Sequence, residues 1–554
     1  MKKALFFLIS ILILASCKNT DKISNEKGII YKENIQIENI PSTLKKDWWK
    51  EAIFYECFVR SFKDTNGDGN GDIKGLIQKL DYLKNLGITG LWLMPMSESH
   101  FNADGYDVID YRAIEKDYGT MDDFKNLLNE AHKRNIGVII DFVPNHSSLF
   151  HPFFENSASS KNSEYRNWYC WKDKDPNWVH PWTKNGKTWH KTDNGYYYGV
   201  FYPFLPDFNY KNPSVLAYMK DNLKFWLNTG IDGFRFDAVH TLIENDSEHQ
   251  LNQPETHKVY QDFRENIFNK YPNIYTVCEA PFTGDSFLGN GTNEFNSTFR
   301  FEYNKYVIQG LKNETPRSIG KAVEQAIQSP SGSYFATLLS NHDPFAGLRP
   351  FTEFNKNETK CKLAASILFT SPGIPFIYYG EEIGMDTIDL SQVPYPDAQI
   401  RTPMQWDSTL NAGFTTGKPL RNINPNYTLY NVELEEKNPN SILNHYKKMI
   451  AIRNNNKSLS LGNYENIGVS DKNKVFAFMR KYNNEAIIVV FNVTKDNANI
   501  TLDFSKTTLP NKAITPKNDL FDQNISYGEI NSSNFSIYSL NIEPYSFKIM
   551  KLEL

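Results

Sequence analysis

Four carboxylic acids occupy equivalent places in the chain, each at the end of a short β-rich run: Asp141, Asp237, Glu279 and Asp343. Like charges gathered on one rim repel, and each is costly to desolvate unless paired or put to use. One such acid alone reads as a strand-end cap or a salt-bridge partner. Four at equivalent positions, with Arg235, His146 and His342 beside them, point to acid–base and nucleophilic chemistry. Arg235 and Asp237 are two apart on one strand and so face the same side. A cation there keeps Asp237 ionised, as a nucleophile requires. A general acid needs the opposite, a setting that raises its pKa. Glu279, preceded by the apolar Val277 and Cys278, has that setting.

The runs that must position these acids form a series, at 53–59, 89–94, 137–143, 233–239, 275–279, 298–303, 334–339 and 374–379. Helical stretches lie between them. In 73–86, apolar residues at 73, 76, 77, 80, 83 and 86 keep a helical period, and 121–135 and 213–229 have the same character. Eight buried strands with helical crossovers predict an α/β fold, a (β/α)8 TIM barrel, whose chemistry sits at the C-terminal strand ends. Two intervals break the rhythm. Residues 146–210, dense in Trp, Tyr, Asn and Lys, predict an inserted domain B after strand three. Residues 457–554 turn all-β and predict a C-terminal antiparallel β-sandwich. The barrel is then 47–145 and 211–456.

The first residues read as an address. Lys2 and Lys3 precede an apolar run from Ala4 to Leu14, the pattern of a secretory signal over 1–16. Leu14-Ala15-Ser16-Cys17 resembles a bacterial lipobox, which implies a lipidated Cys17 and a membrane-anchored lipoprotein of the cell envelope. The expected placement is the outer membrane, facing the periplasm or the cell surface. The polar stretch to residue 46 reads as a tether from that anchor. The whole chain of 554 residues has a formal net charge of −4, with no basic excess to draw it onto nucleic acid. No further apolar run is long enough to span a bilayer.

Four segments resemble the signature regions of the α-amylase family, glycoside hydrolase family 13: Asp141–His146, Gly233–Val239, Val277–Ala280 and Leu339–Asp343. Leu205–Asn209, Gly105–Tyr111 and Arg401–Asp407 are similar to further family segments, and all seven run in order. The resemblance implies a retaining glycosidase. Asp237 would be the nucleophile, Glu279 the acid and base, and Asp343 the holder of ring hydroxyls. It further implies that Arg235 orients Asp237, that His146 and His342 donate to the same sugar, that Tyr106 stacks on its face, and that Asp141 supports the group. The expected activity is endo-acting α-amylase on starch-like glucans, with surface starch-binding proteins as expected partners. Alternatives are α-glucosidase or oligo-1,6-glucosidase, cyclomaltodextrinase or neopullulanase, and, outside enzymes, a surface glycan-binding protein. Exo-acting members carry an Asp before Asn-Gly-Tyr that closes the non-reducing end. Ala103 stands there here, with Asp104 one place on.

One more motif lies near the start. Asp64, Asn66, Asp68, Asn70 and Asp72 put oxygen donors at alternate positions among glycines, which suits a structural calcium ion. The loop opens like an EF-hand, but its twelfth position is Gly75. Similar loops occur in oligo-1,6-glucosidase-like family members. Asn145 matches a position that binds a second calcium in many α-amylases.

Overall fold

The computed structural model describes residues 28–100, 103–271, 273–329 and 332–554. The signal, the lipobox and Cys17 lie outside the described residues.

Eight parallel strands close into one barrel: β1 (Phe54–Cys57), β2 (Gly90–Leu93), β3 (Gly137–Phe142), β4 (Gly233–Phe236), β5 (Tyr275–Cys278), β6 (Ser297–Phe299), β7 (Tyr334–Leu338) and β8 (Ile374–Tyr378). Closure is made by β1 pairing with both β2 and β8. Aromatic rings fill the interior near the strand starts. Phe54 stacks on Phe376 at 4.6 Å and on Tyr275 at 5.2 Å, and Trp92 lies 5.3 Å from Phe299. Small residues make room for them. A Cβ on Gly90 would meet the Phe54 ring at 2.5 Å, and one on Gly137 would meet Trp48 at 2.4 Å. Such packing leaves the open end of the barrel for polar groups.

Two expected elements differ. The run 298–303 is strand only to Phe299, because Phe301–Lys312 is a helix with Phe301, Tyr303, Val307 and Leu311 on its buried face. The helix expected over 73–86 is two, Ile73–Gln78 and Leu80–Leu86, separated at Lys79. The insert after β3 contains a three-stranded antiparallel sheet of Trp171–Lys172, Gly195–Tyr198 and Trp189–Thr192. Beyond the helix Ile442–Asn454 the chain forms a four-stranded and a three-stranded antiparallel sheet. They enclose a core that includes Ile488, Val490, Ile500, Leu502 and Met550.

The stretch read as a tether is docked from Ile29 onward. Its backbone N–H at Ile29 bonds to Glu164 O in the insert. Tyr31 Oη, Asn34 N and Ile35 N all donate to the carboxylate of Asp221 on the barrel helix Pro213–Leu227. Asp221 is fully buried, so these donors supply the hydrogen bonds its charge would otherwise lack.

Candidate active site

The strand order brings the expected residues together at the C-terminal end of the barrel. Asp141 lies in β3, Arg235 in β4, Asp237 just past β4, Glu279 just past β5, and His342 and Asp343 in the loop after β7. Arg235 is completely buried and joins three carboxylates. Its Nη1 donates to Asp237 Oδ1 at 2.8 Å and to Asp141 Oδ1 at 2.9 Å, and its Nη2 donates to Glu279 Oε2 at 2.7 Å. One planar guanidinium thus holds Asp237 and Glu279 side by side. Ala238, next in the chain, adopts a left-handed φ of 44°. That strained turn puts its N–H 3.4 Å from Glu279 Oε2.

A second group of contacts fixes Asp343. His342 Nε2 is 3.2 Å from Asp343 Oδ2, and Arg401 Nη2 is 3.0 Å from Asp343 Oδ1. Tyr106 Oη donates to Asp141 Oδ2 at 2.9 Å and lies 2.6 Å from His342 Nε2, with its ring stacked on the imidazole. His146 is buried in the same region, its ring 5.4 Å from Phe201 of the insert.

Burial dominates the electrostatics. It pushes Asp237 and Asp141 up to about 6 against the pull of Arg235. It pushes Asp343 and Glu279 up to about 7, and Asp237 adds to the rise at Glu279 both by charge and by a side-chain hydrogen bond. The cation expected to keep Asp237 ionised is therefore in place, but desolvation outweighs it. Burial likewise holds His342 well below the usual imidazole range and His146 down at about 3, so both are neutral. The site can store one proton among close carboxyls near neutral pH, the condition for separating an acid from a nucleophile.

Two further acids join the group, and the first of them escaped the sequence reading. Glu56 of β1 is buried, and its Oε1 lies 2.5 Å from His342 Nδ1. Its signal was available: an acid inside the apolar run Phe54–Cys57, on the first strand of the same series. Asp104, set beside Ala103 in the sequence, is the other, and its partners were not legible there. Its carboxylate is fully enclosed and pairs with Arg401 Nη1 at 2.7 Å, with Tyr395 Oη at 2.7 Å and with Arg421. No local pattern announces a partner 297 residues away.

Asp64 accepts from the N–H groups of Asn66, Gly67 and Gly69 and from Thr415 Oγ1. Asp68 accepts from Asn66 Nδ2 and from Asn70 N, and Asn70 Oδ1 accepts from Arg60. Asp72 caps the helix Ile73–Gln78 through Gly75 N. Among the described residues no group of three His, Cys, Asp or Glu side chains converges as metal ligands. The loop's donors are all hard oxygens, a set whose chemistry fits calcium. At the second expected position, Asn145 Oδ1 and Asp207 Oδ2 are buried without a hydrogen-bond partner.

Comparison with known proteins agrees with this geometry. The model of the α-amylase catalytic domain matches residues 56–462. An α-amylase 3 of Dictyoglomus thermophilum is 37% identical over 513 residues, covering 91% of this chain and 94% of that protein. An oligo-1,6-glucosidase of Parageobacillus thermoglucosidasius is 32% identical, covering 92% and 100%. Among solved structures, an isomaltulose synthase variant of Erwinia rhapontici with D-glucose superposes with a TM-score of 0.77 at 31% identity, covering 93% and 100%. A site built by one arginine joining three strand-end acids is thus carried on a catalytic domain of known kind: this chain belongs to the α-amylase family and is a glycoside hydrolase.

Proposed function

We propose that the protein is a retaining, endo-acting α-amylase that hydrolyses α-1,4-glucosidic bonds of starch-like glucans and maltooligosaccharides. The carrying observation is the Arg235 fork, with Asp237 on Nη1 and Glu279 on Nη2. It supports the short carboxyl separation of retaining enzymes, about 5–5.5 Å, rather than the wider gap that admits a water in inverting ones. Asp237 attacks the anomeric carbon while Glu279 gives its proton to the departing oxygen. The bond to the leaving sugar breaks and a glycosyl ester on Asp237 forms. Glu279, now ionised, takes a proton from water, whose oxygen displaces Asp237 and restores the original anomeric configuration. Asp343 holds ring hydroxyls, His146 and His342 contact the same sugar, and Tyr106 presents its ring. Asp141 braces Arg235 and Tyr106. The carboxylates stabilise the positive transition state.

Internal cleavage is supported by the non-reducing side of the site. Ala103, not an acid, occupies the place of the closing Asp, and Asp104 is enclosed by Arg401, Arg421 and Tyr395. The alternative of exo-cleavage draws on the relatives named oligo-1,6-glucosidase. A time course on soluble starch separates them. A fast fall in viscosity with mixed oligosaccharides supports the amylase; glucose as sole product overturns it.

Calcium in the Asp64–Asp72 loop would brace the turn against the segment carrying Thr415, with no part in the chemistry. The lipobox supports an anchor at Cys17, and so an envelope enzyme acting on external glucan, alone or beside starch-binding surface proteins.

A further inference from the structure

We propose that the inserted domain grips an α-glucan on both sides of the scissile bond, Trp182 carrying the departing sugars and Tyr202 the sugars on the glycone side. This rests on the amylase reading of the same site.

The sides are set by backbone contacts. Ala238 N meets Glu279 Oε2 at 3.4 Å, and Val239 N meets Glu279 O at 3.1 Å. The turn after β4 therefore lies beside Glu279, the group that protonates the leaving oxygen, and the departing chain leaves over it. His240 belongs to that turn, and its ring is 6.4 Å from Trp182. His240 Nδ1 is buried with no hydrogen-bond partner, a polar atom that a sugar hydroxyl would satisfy. Trp182 also lies 5.5 Å from Phe201, which in turn lies 5.4 Å from His146. A line of rings thus runs from the cleavage site outward.

Trp182 differs from the other tryptophans of its domain. Trp168 and Trp189 are core, and Trp171 and Trp178 pack among neighbouring rings, whereas Trp182 is 48% exposed. Just before it, Val179, His180 and Pro181 face Glu248 and Gln250 across a cavity of about 470 Å³. A large exposed ring beside a sugar site offers its face to the C–H face of a pyranose.

Tyr202 stands on the opposite side. It is 56% exposed, and its ring lies parallel to Phe204 at 5.2 Å, which fixes its plane. Phe204 O accepts from Leu149 N at 3.2 Å, and the neighbouring Ser148 N donates to Val108 O at 2.9 Å, which ties this segment to the loop of Asp104 and Tyr106, where Arg401 joins Asp104 to Asp343.

Maltoheptaose labelled at its reducing end tests both halves. Trp182→Ala should lower kcat/KM roughly tenfold and move the cut toward the labelled end, since fewer sugars are held past the cleavage point. Trp182→Phe should restore most of the parent pattern. Tyr202→Ala should move the cut the other way. Unchanged patterns in both alanine variants, with parent-like melting, overturn the proposal, as do shifts in the same direction. Stepwise release of glucose alone by the parent enzyme is a different failure. It overturns the amylase reading and the Tyr202 half, while the Trp182 half still stands or falls on its tenfold loss.

Discussion

His342 Nδ1 lies 2.5 Å from Glu56 Oε1, a contact between residues 286 positions apart. Glu56 thereby orients an imidazole whose other nitrogen meets Tyr106 and Asp343. Glu56→Gln should weaken that hold and displace Asp343 from its working position. The expected loss in kcat is up to roughly hundredfold, since small misplacements at a reacting centre are costly. Steady-state kinetics on maltoheptaose checks this; unchanged kcat would show that His342 needs no such brace.

The two reacting carboxyls are expected to part on an activated substrate. Asp237→Asn should abolish turnover of every substrate. Glu279→Gln should abolish hydrolysis of starch yet keep measurable release of a good leaving group, such as fluoride from α-maltosyl fluoride, which needs no proton. Equal loss on both substrates in the Glu279 variant would remove its role as acid.

Activity should follow a narrow bell in pH. It needs Asp237 ionised, so it rises through about 6, and Glu279 protonated, so it falls through about 7. Stability runs the other way on the acid side. Both groups titrate higher folded than unfolded, so their contribution is full below about 4 and is lost as pH climbs through 6 and 7. A pH series of kcat/KM checks the bell; a flat profile from 5 to 8 contradicts it.

Chelation should lower the melting temperature by several degrees if the Asp64–Asp72 loop holds calcium, and added calcium should restore it. Asp68→Ala should remove the difference between chelated and calcium-loaded samples. An unchanged melt on chelation would discard the metal.

The docked N-terminal strap gives a stability test. Tyr31→Phe removes one donor to the buried Asp221 carboxylate. The expected cost is about 1–3 kcal/mol in urea unfolding, with kcat unchanged. No loss would mean that Asn34 N, Ile35 N and Lys224 suffice.

Much of this site was legible in the chain because a barrel repeats one geometry. An acid at the end of β3, β4 or β5 must face the same mouth, so Asp141, Asp237 and Glu279 could be grouped before any coordinates. Local periodicity also located the crossover helices, apart from the break at Lys79. What could not be read was pairing across the closure. Glu56 meets His342 because β1 closes on β8, and Asp104 meets Arg401 because their loops fold toward each other. Nor did residue types separate the tryptophans. Trp168 and Trp182 are alike in sequence, and only packing makes one core and the other rim. Charge arithmetic fell short too: Arg235 does lie against Asp237, but the weight of burial around both was not legible.

In the proposed mechanism Asp237 forms the covalent bond to the sugar. Trapping with a slow fluorinated α-glucosyl donor, followed by peptide mass spectrometry, reads that bond out. The expected result is one added glycosyl mass on the peptide containing Asp237, and none on that peptide in Asp237→Asn. A label on the peptide of Glu279 or Asp343, or first products of inverted anomeric configuration, would contradict it.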